Sequence, residues 1–325
     1  MKRNNSKYNL IINHVTDRIR SEEYLLGGRI PSINEFRNIY NLSRDTVFAG
    51  LQALIKKGII ASNHGVGYFI TSTKIEAGHH IFLLFNEFNG FKEVLFKSFM
   101  DSMRDVATVD LYFHNYNRKV FETLINDANG KYTDYVIMSG KFQGIGPLLE
   151  SLSGRVFLLD HFHFELKGRY SAVFQDFEKN TYEALVSGKE LIRKYKRILM
   201  VQKEEKEPEE RYDGLKAFCL EQNIGHDYIA DTAGREIAIG ELFIVVKDED
   251  LAGLIKQAAI QKLSPGTDFG IISYNDTPLK EVLAGGITTL STDFRLMGKT
   301  MAELIGTKAI CTIENPWQLN IRRSL

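Results

Sequence analysis

The runs Gly27-Gly28-Arg29-Ile30-Pro31-Ser32, Leu42-Ser43-Arg44-Asp45-Thr46-Val47 and His64-Gly65-Val66-Gly67-Tyr68 set the reading of the chain. Upstream, Tyr8, Leu10, Ile11, Val15 and Ile19 recur at helical spacing, so 8–23 reads as an amphipathic helix that Gly27-Gly28 stops. Pro31 suits a helix start, where its missing N–H costs nothing; Ile33, Phe36, Ile39 and Tyr40 then give a short helix over 32–40. Ser43 is a good N-cap for a third helix over 44–57, with Val47, Leu51, Leu54 and Ile55 facing inward until Gly58 ends it. Two strands, Ile59-Ile60-Ala61 and Tyr68-Phe69-Ile70, flank a glycine-rich hairpin. A polar helix start and a hairpin tip on one side of a small domain suit the grooves of DNA.

The 325 residues carry 41 basic and 41 acidic side chains, and that zero balance by itself argues against a nucleic-acid binder. The distribution reverses the argument. Residues 1–73 hold ten Lys/Arg against five Asp/Glu, and the remainder holds 31 against 36. A basic head on an acidic body puts phosphate contact in the head alone. The two cysteines, Cys219 and Cys311, lack metal-type pairing and fit a reducing compartment. No apolar run of signal-peptide or membrane-spanning length follows the basic start, so a cytoplasmic protein without membrane contact is expected.

Beyond a linker at 74–78, short apolar strands alternate with helices. Strands are expected at 80–85, 109–113, 135–138, 156–159, 172–174, 198–201, 229–230, 244–246, 269–273 and 287–290, with helices between them. That alternation predicts an α/β body over 79–325 with parallel, doubly wound sheets covered on both faces. Two such runs break near 160, which predicts two lobes.

The head, from about residue 8 to 71, resembles the winged helix-turn-helix domain of the GntR family of bacterial transcription regulators. Arg-Ile-Pro-Ser at 29–32, Leu-Ser-Arg-Asp-Thr-Val at 42–47 and a His-Gly-X-Gly wing followed by an aromatic carry the resemblance. It implies DNA contacts from Arg29, Ser32, Ser43, Arg44, Asp45 and Thr46, and minor-groove entry by His64 and Gly65. The chemistry agrees: arginine pairs with a guanine edge or a phosphate, and glycine lets a backbone approach closely. Asn34 and Phe48 stand where the family usually has arginine, so the operator need not follow the family's common half-site.

The body resembles the effector core of LacI-type repressors, which shares its fold with periplasmic sugar-binding proteins. Ile272-Ser273-Tyr274-Asn275-Asp276-Thr277, the run from Ile287 to Gly298 and Arg322-Arg323-Ser324 carry this, supported by Gln175-Asp176, Arg211 to Leu215 and Val246-Lys247-Asp248. Together the two parts resemble arabinose-repressor-like, sugar-responsive regulators. The resemblance implies a homodimer on double-stranded operator DNA, released by a small effector. It also implies lobe 1 at about 79–160 and 292–317, lobe 2 at about 161–290 and 318–325, and crossovers near Asp160-His161, Thr289 to Ser291 and Gln318 to Asn320.

Ligands of open α/β sheets bind at the carboxyl ends of strands. The candidate effector contacts are therefore Asn86, Glu87, Phe88, Lys141, Asp160, His161, Gln175, Asp176, Arg211, Lys247 and Asn275. Phe88, Phe162 or Phe177 would stack on the apolar face of a sugar. Plainer readings stand beside these: Asp176 and Asp276 as helix caps, Asp160 as a hinge residue, Arg211 in a surface ion pair, Trp317 in packing. Lys247 replaces the asparagine common in the family, which leaves the ligand open between a monosaccharide of the arabinose or fucose class and a nucleoside or phosphorylated metabolite.

An enzyme is the distant alternative. Met297-Gly298-Lys299-Thr300 lacks the glycine a phosphate loop needs at Asp293, and no catalytic triad spacing occurs. His161 and His163 do not make a metal set by themselves, so neither metal nor cofactor is expected.

Overall fold

The computed structural model describes residues 8–63, 65–73, 78–104, 106–203, 206–307 and 309–325. The chain divides into two compact units. One runs to His79 and takes in Val106–Thr108; the other holds the rest.

The head contains helices Asn9–Arg20, Ile33–Tyr40 and Arg44–Lys56 and a three-stranded antiparallel sheet. Gly67–Ile70 is the middle strand, flanked by Ile60–Asn63 and by a two-residue strand, Arg29–Ile30, where the sequence pattern assigns no element. Two residues are too few for any periodicity to register. Ser32 and Glu35 form a capping box, in which the Glu35 carboxylate accepts from the Ser32 N–H at 2.7 Å. Ser43 caps the third helix through the Thr46 N–H at 3.2 Å, a bond type typically worth about 1 kcal/mol. Ile11, Val15, Phe36, Val47, Leu51 and Leu54 are fully buried between the three helices. The first helix is shorter than expected and ends at Arg20.

The body holds two six-stranded sheets. In spatial order the first is Thr312–Glu314, Ser171–Gln175, Arg155–His161, Asp134–Ile137, His79–Phe85 and Ala107–Phe113. The second is Gly225–Ile229, Arg197–Val201, Glu241–Val245, Gly270–Tyr274, Thr288–Thr292 and Trp317–Asn320. The described pairings run parallel except that of Thr288–Thr292 with Trp317–Asn320. The inner strands are near-continuous apolar runs because helices cover both faces. Gly298, on helix Phe294–Ile305, shows how closely that helix approaches Gly90–Met103: a Cβ there would lie 2.4 Å from the Leu95 carbonyl oxygen.

The lobe boundaries differ from those expected. Ser171–Gln175 pairs with Arg155–His161, so 161–175 belongs to the first lobe and the chain first crosses after Gln175, not at Asp160-His161. The second crossing follows Thr292, just beyond the expected 289–291, which lies inside a second-lobe strand. The third is at Asn315-Pro316, upstream of 318–320. A three-residue apolar core such as Ala172-Val173-Phe174 shows that a strand exists but not which sheet it joins. The strands Thr312–Glu314 and Trp317–Asn320 escaped the sequence reading because three and four residues are too short a run to separate a strand from a loop. The helix expected over 177–194 is broken at Gly188, where a side chain would meet Leu319 at 2.9 Å.

Candidate functional site

The head presents Arg44, Asp45 and Phe48 as exposed side chains on helix Arg44–Lys56. Arg44 and Phe48 are four residues apart and share a face. Phe48, 47% exposed, is an apolar group on a face otherwise suited to polar contacts. Thr46 departs from the expected role: it is 4% exposed, and its hydroxyl shares a 2.7 Å bond with that of Ser43. Both hydroxyls thus belong first to the helix cap, and Ser32 is likewise committed to its own cap. Arg29 lies across the base of the wing. A Cβ on Gly67 would sit 3.2 Å from its Nε, and Gly67 has φ +132°, so only glycine fits there. Gly65 has φ +75° at the wing tip, while His64 lies outside the described residues. On the first helix His14 bonds the Tyr40 hydroxyl at 2.6 Å and the Tyr24 hydroxyl at 3.1 Å. Burial, then the charge of Arg18, keeps its imidazole below the usual histidine pKa.

In the body, a cavity of about 660 Å³ lies between the lobes. Its first-lobe wall centres on Asp160, at the end of strand Arg155–His161 and held at φ +79°. A non-glycine residue in that region stores strain that surrounding bonds must hold in place. Here those bonds are to the Lys92 ammonium at 2.5 Å and the Gln175 amide at 2.6 Å. Burial pushes the Asp160 carboxyl up, but Lys92 first and then Gln175 and Arg211 outweigh it and hold it below the usual carboxylate range. Asn86 donates to the Tyr116 hydroxyl at 3.1 Å, and burial raises that phenol's pKa. Phe91 and Phe294 stack at 5.1 Å on the same side.

The second-lobe wall centres on Arg211, in the first turn of helix Glu210–Gln222 and only 6% exposed. Its guanidinium lies over the rings of Phe177 and Tyr274, at 4.8 and 4.5 Å, and donates to Glu207 at 2.6 Å. Its Nε is buried without a partner among the described residues. Asn275, at φ +60°, ends strand Gly270–Tyr274; the buried Lys280 ammonium donates to its carbonyl at 2.8 Å and pairs with Asp248 at 2.9 Å. Lys247 lines the same wall. Two contacts join the lobes beside the cavity: Lys141 to Glu209 at 3.1 Å, and His161 to Glu210 at 4.0 Å.

Asn86, Glu87, Lys141, Asp160, His161, Gln175, Arg211, Lys247 and Asn275 therefore converge on one cavity. Two candidates do not. Phe88 is exposed and packs edge-on against Phe113 at 5.7 Å. Asp176 accepts from the Lys179 N–H at 3.1 Å and caps helix Phe177–Ser187, facing away from the cleft. Asp276 is held by a two-pronged Arg322 pair at 2.8 and 2.7 Å, and Arg211's pair is buried, not on the surface. Trp317 packs against the second-lobe core. Lys92, Tyr116 and Glu207 were missed. Glu207 sits four residues before Arg211, a spacing the sequence does show; a lone lysine on the apolar face of a helix was the clue to Lys92. Among the described residues no group of three or more His, Cys, Asp or Glu could hold a metal, and no helix is long and apolar enough to cross a membrane.

Residues 7–70 match the model of the gntR family of bacterial regulatory proteins, and 191–313 match a periplasmic binding protein-like domain. No curated protein matches the chain. Among solved structures, a LacI family transcriptional regulator from Silicibacter pomeroyi is similar at 15% identity and TM-score 0.65, over 76% of this chain and 98% of that one. A LacI family transcriptional regulator from Enterococcus faecalis V583 with bound ribose gives 20% and 0.61, over 75% and 98%. A periplasmic binding protein/LacI transcriptional regulator from Alkaliphilus metalliredigens QYMF complexed with D-xylulofuranose gives 14% and 0.61, over 76% and 99%. The chain thus joins a gntR-family helix-turn-helix head to a periplasmic-binding-protein-like body with the fold of LacI-family regulators. This is the architecture of a transcription regulator.

Proposed function

We propose that the protein is a cytoplasmic, homodimeric repressor released from its operator by a monosaccharide of pentose or 6-deoxyhexose type. The observation that carries this reading is the opposition of two preset polar clusters across one cavity: Asp160 with Lys92 and Gln175, facing Arg211 with Glu207 and Asn275. Each offers side-by-side donors and acceptors suited to vicinal hydroxyls, and Phe91, Phe294 and Phe177 supply flat apolar surface. The two buried cations at the centre of the cleft are each paired with a carboxylate, Lys92 with Asp160 and Arg211 with Glu207, which favours a neutral ligand over an ion there. Ribose and D-xylulofuranose in two structures of the same fold agree with that size and chemistry. Lys247 favours a second reading, in which a phosphorylated sugar places its anion there.

In the head, Arg44 reads a guanine edge or a phosphate, and Phe48 meets a thymine methyl on the same face. Two heads on a symmetric dimer require a near-palindromic operator. A sugar that closes the lobes lowers operator affinity, and by linkage operator DNA lowers sugar affinity by the same factor. The test is a melting-temperature screen of the full chain against pentoses, deoxyhexoses and their phosphates. One selective neutral sugar that raises the melting temperature, and releases DNA, supports the first reading. A response to phosphorylated sugars alone replaces it with the second.

A further inference from the structure

The hinge carries a second cavity, of about 300 Å³, back to back with the cleft. It opens beside the first crossover, and His161, Gln175 and Phe177 form a wall common to both cavities. Its lip is aromatic. Phe162 and Phe174 lie 4.4 Å apart at 30°, and Phe164 meets Phe162 edge-on at 4.8 Å. Phe164 is 71% exposed, a large apolar surface left to water. The border is also acidic, with Glu178 and Glu210 on the two second-lobe helices. Lys179, the one lysine bordering it among the described residues, is bonded to both oxygens of Glu314 at 3.1 and 2.8 Å.

His161, on the wall common to both cavities, is under-satisfied. It is 8% exposed, and its Nδ1 is buried with no hydrogen-bond partner among the described residues. A buried polar atom left unpaired costs about 1–3 kcal/mol, so its persistence calls for a use. Burial also holds this imidazole below the usual histidine pKa, which leaves it neutral near pH 7 and adds no positive charge to the site.

We propose that this hinge cavity is a second ligand site, for a protonated aromatic amine whose ring lies among Phe162, Phe164 and Phe174 and whose ammonium lies between Glu178 and Glu210. Ring faces and carboxylates attract such a cation together. A neutral aromatic lacks the charge, an aliphatic cation lacks the ring, and an anion is repelled. The site also bears on the cleft through the shared wall: Gln175 bonds Asp160 at 2.6 Å, and the Phe177 ring lies 4.8 Å from the Arg211 guanidinium.

Calorimetric titration of the full chain with phenethylamine, phenethyl alcohol and hexylamine tests this. Phenethylamine should bind at one saturable site, and the other two about tenfold more weakly or worse. Phe164→Ala and Glu210→Gln should each weaken phenethylamine by about tenfold, since each removes one of the two attractions. Phe164 is exposed, so its variant keeps the fold, and circular dichroism checks this for both variants. Lys247→Ala, on the main cleft alone, should leave amine binding unchanged. Absence of saturable binding at millimolar amine, or equal binding of the alcohol, overturns the proposal. Amine binding lost with Lys247→Ala but kept with Phe164→Ala puts the ligand in the main cleft and overturns it as well.

Discussion

Arg44 and Arg211 are the same side chain in opposite settings. Arg44 stands exposed at the start of a helix in the head. Arg211 is buried in the body, stacked between two rings and paired with Glu207 before any ligand arrives. An exposed cation gains its energy when it meets a phosphate or base and displaces counterions, so its worth varies with salt. A buried cation has already lost its water, and only the fixed geometry around it makes that tolerable. On the proposed reading the head is thus an interface completed by DNA, whereas the cleft is completed by the fold.

The largest effect should come from breaking the buried setting. Arg211→Ala leaves Glu207 without its partner and should cost about 3–5 kcal/mol in the denaturant-induced unfolding of the body. Ligand-induced stabilisation should vanish with it. A sharper form replaces both partners, Arg211→Met with Glu207→Leu. Most of the lost stability should return while the sugar response stays absent. A double variant that remains as unstable as Arg211→Ala would show that stacking on Phe177 and Tyr274, not the ion pair, holds this wall.

Arg44→Ala should act the other way round. Unfolding should shift by no more than about 0.5 kcal/mol, as for an exposed residue. Operator affinity should fall by about 1–3 kcal/mol, or about fivefold to 150-fold, in gel-shift titrations. The slope of log affinity against log salt should also fall by about one unit if the contact is to phosphate, and stay put if it is to a base edge. Full operator affinity in this variant would end the assignment of the helix Arg44–Lys56 as the reading element.

These two sites were legible to different degrees for a physical reason. The head's proposed contacts lie within about forty residues, and the punctuation there is local: a cap at Ser43, a proline at 31, glycines at the wing. Local signals nonetheless hid Thr46, because the same hydroxyl serves a DNA contact or a cap, and only burial separates the two. The cleft draws Lys92, Asp160, Arg211 and Asn275 from four distant strand–helix units. Strand ends were visible, so Asp160 and Asn275 could be named. Lys92 could be marked only as a lysine on an apolar helix face, since nothing in a helical pattern says which helix will pass beneath which strand end. The same blindness moved the first lobe boundary, because the choice of sheet for Ser171–Gln175 is made by long-range pairing.

Acid separates the two regions further. His114, His161 and His163 in the body are all pushed below the usual value of 6.5, chiefly by burial; the head has His14, shifted the same way. Such groups give full stability above the unfolded pKa. As pH falls below it, the unfolded chain takes up protons that the folded chain resists, and stability is lost. Asp160, held low by Lys92, stays ionised through this window and offsets nothing. The melting transition of the body should therefore fall more between about pH 7.5 and 5.5 than that of the head, read by calorimetry. An equal fall would mean that the two settings differ less than their burial implies.

The smallest effect should come from the Lys141–Glu209 pair, which joins the two lobes at 3.1 Å. Both side chains are partly open to solvent, so the pair is worth about 0–1 kcal/mol. Because it spans the lobes, that energy bears on closure and not on the fold of either lobe. Lys141→Ala should leave unfolding unchanged and weaken effector binding by no more than about fivefold. Raising salt should produce the same weakening in the unaltered protein and little more in the variant, since screening removes the same attraction. A loss of a hundredfold would have another meaning: Lys141 would then be touching the ligand, and the first-lobe wall would hold an exposed cation working as Arg44 does, on a partner that arrives from outside.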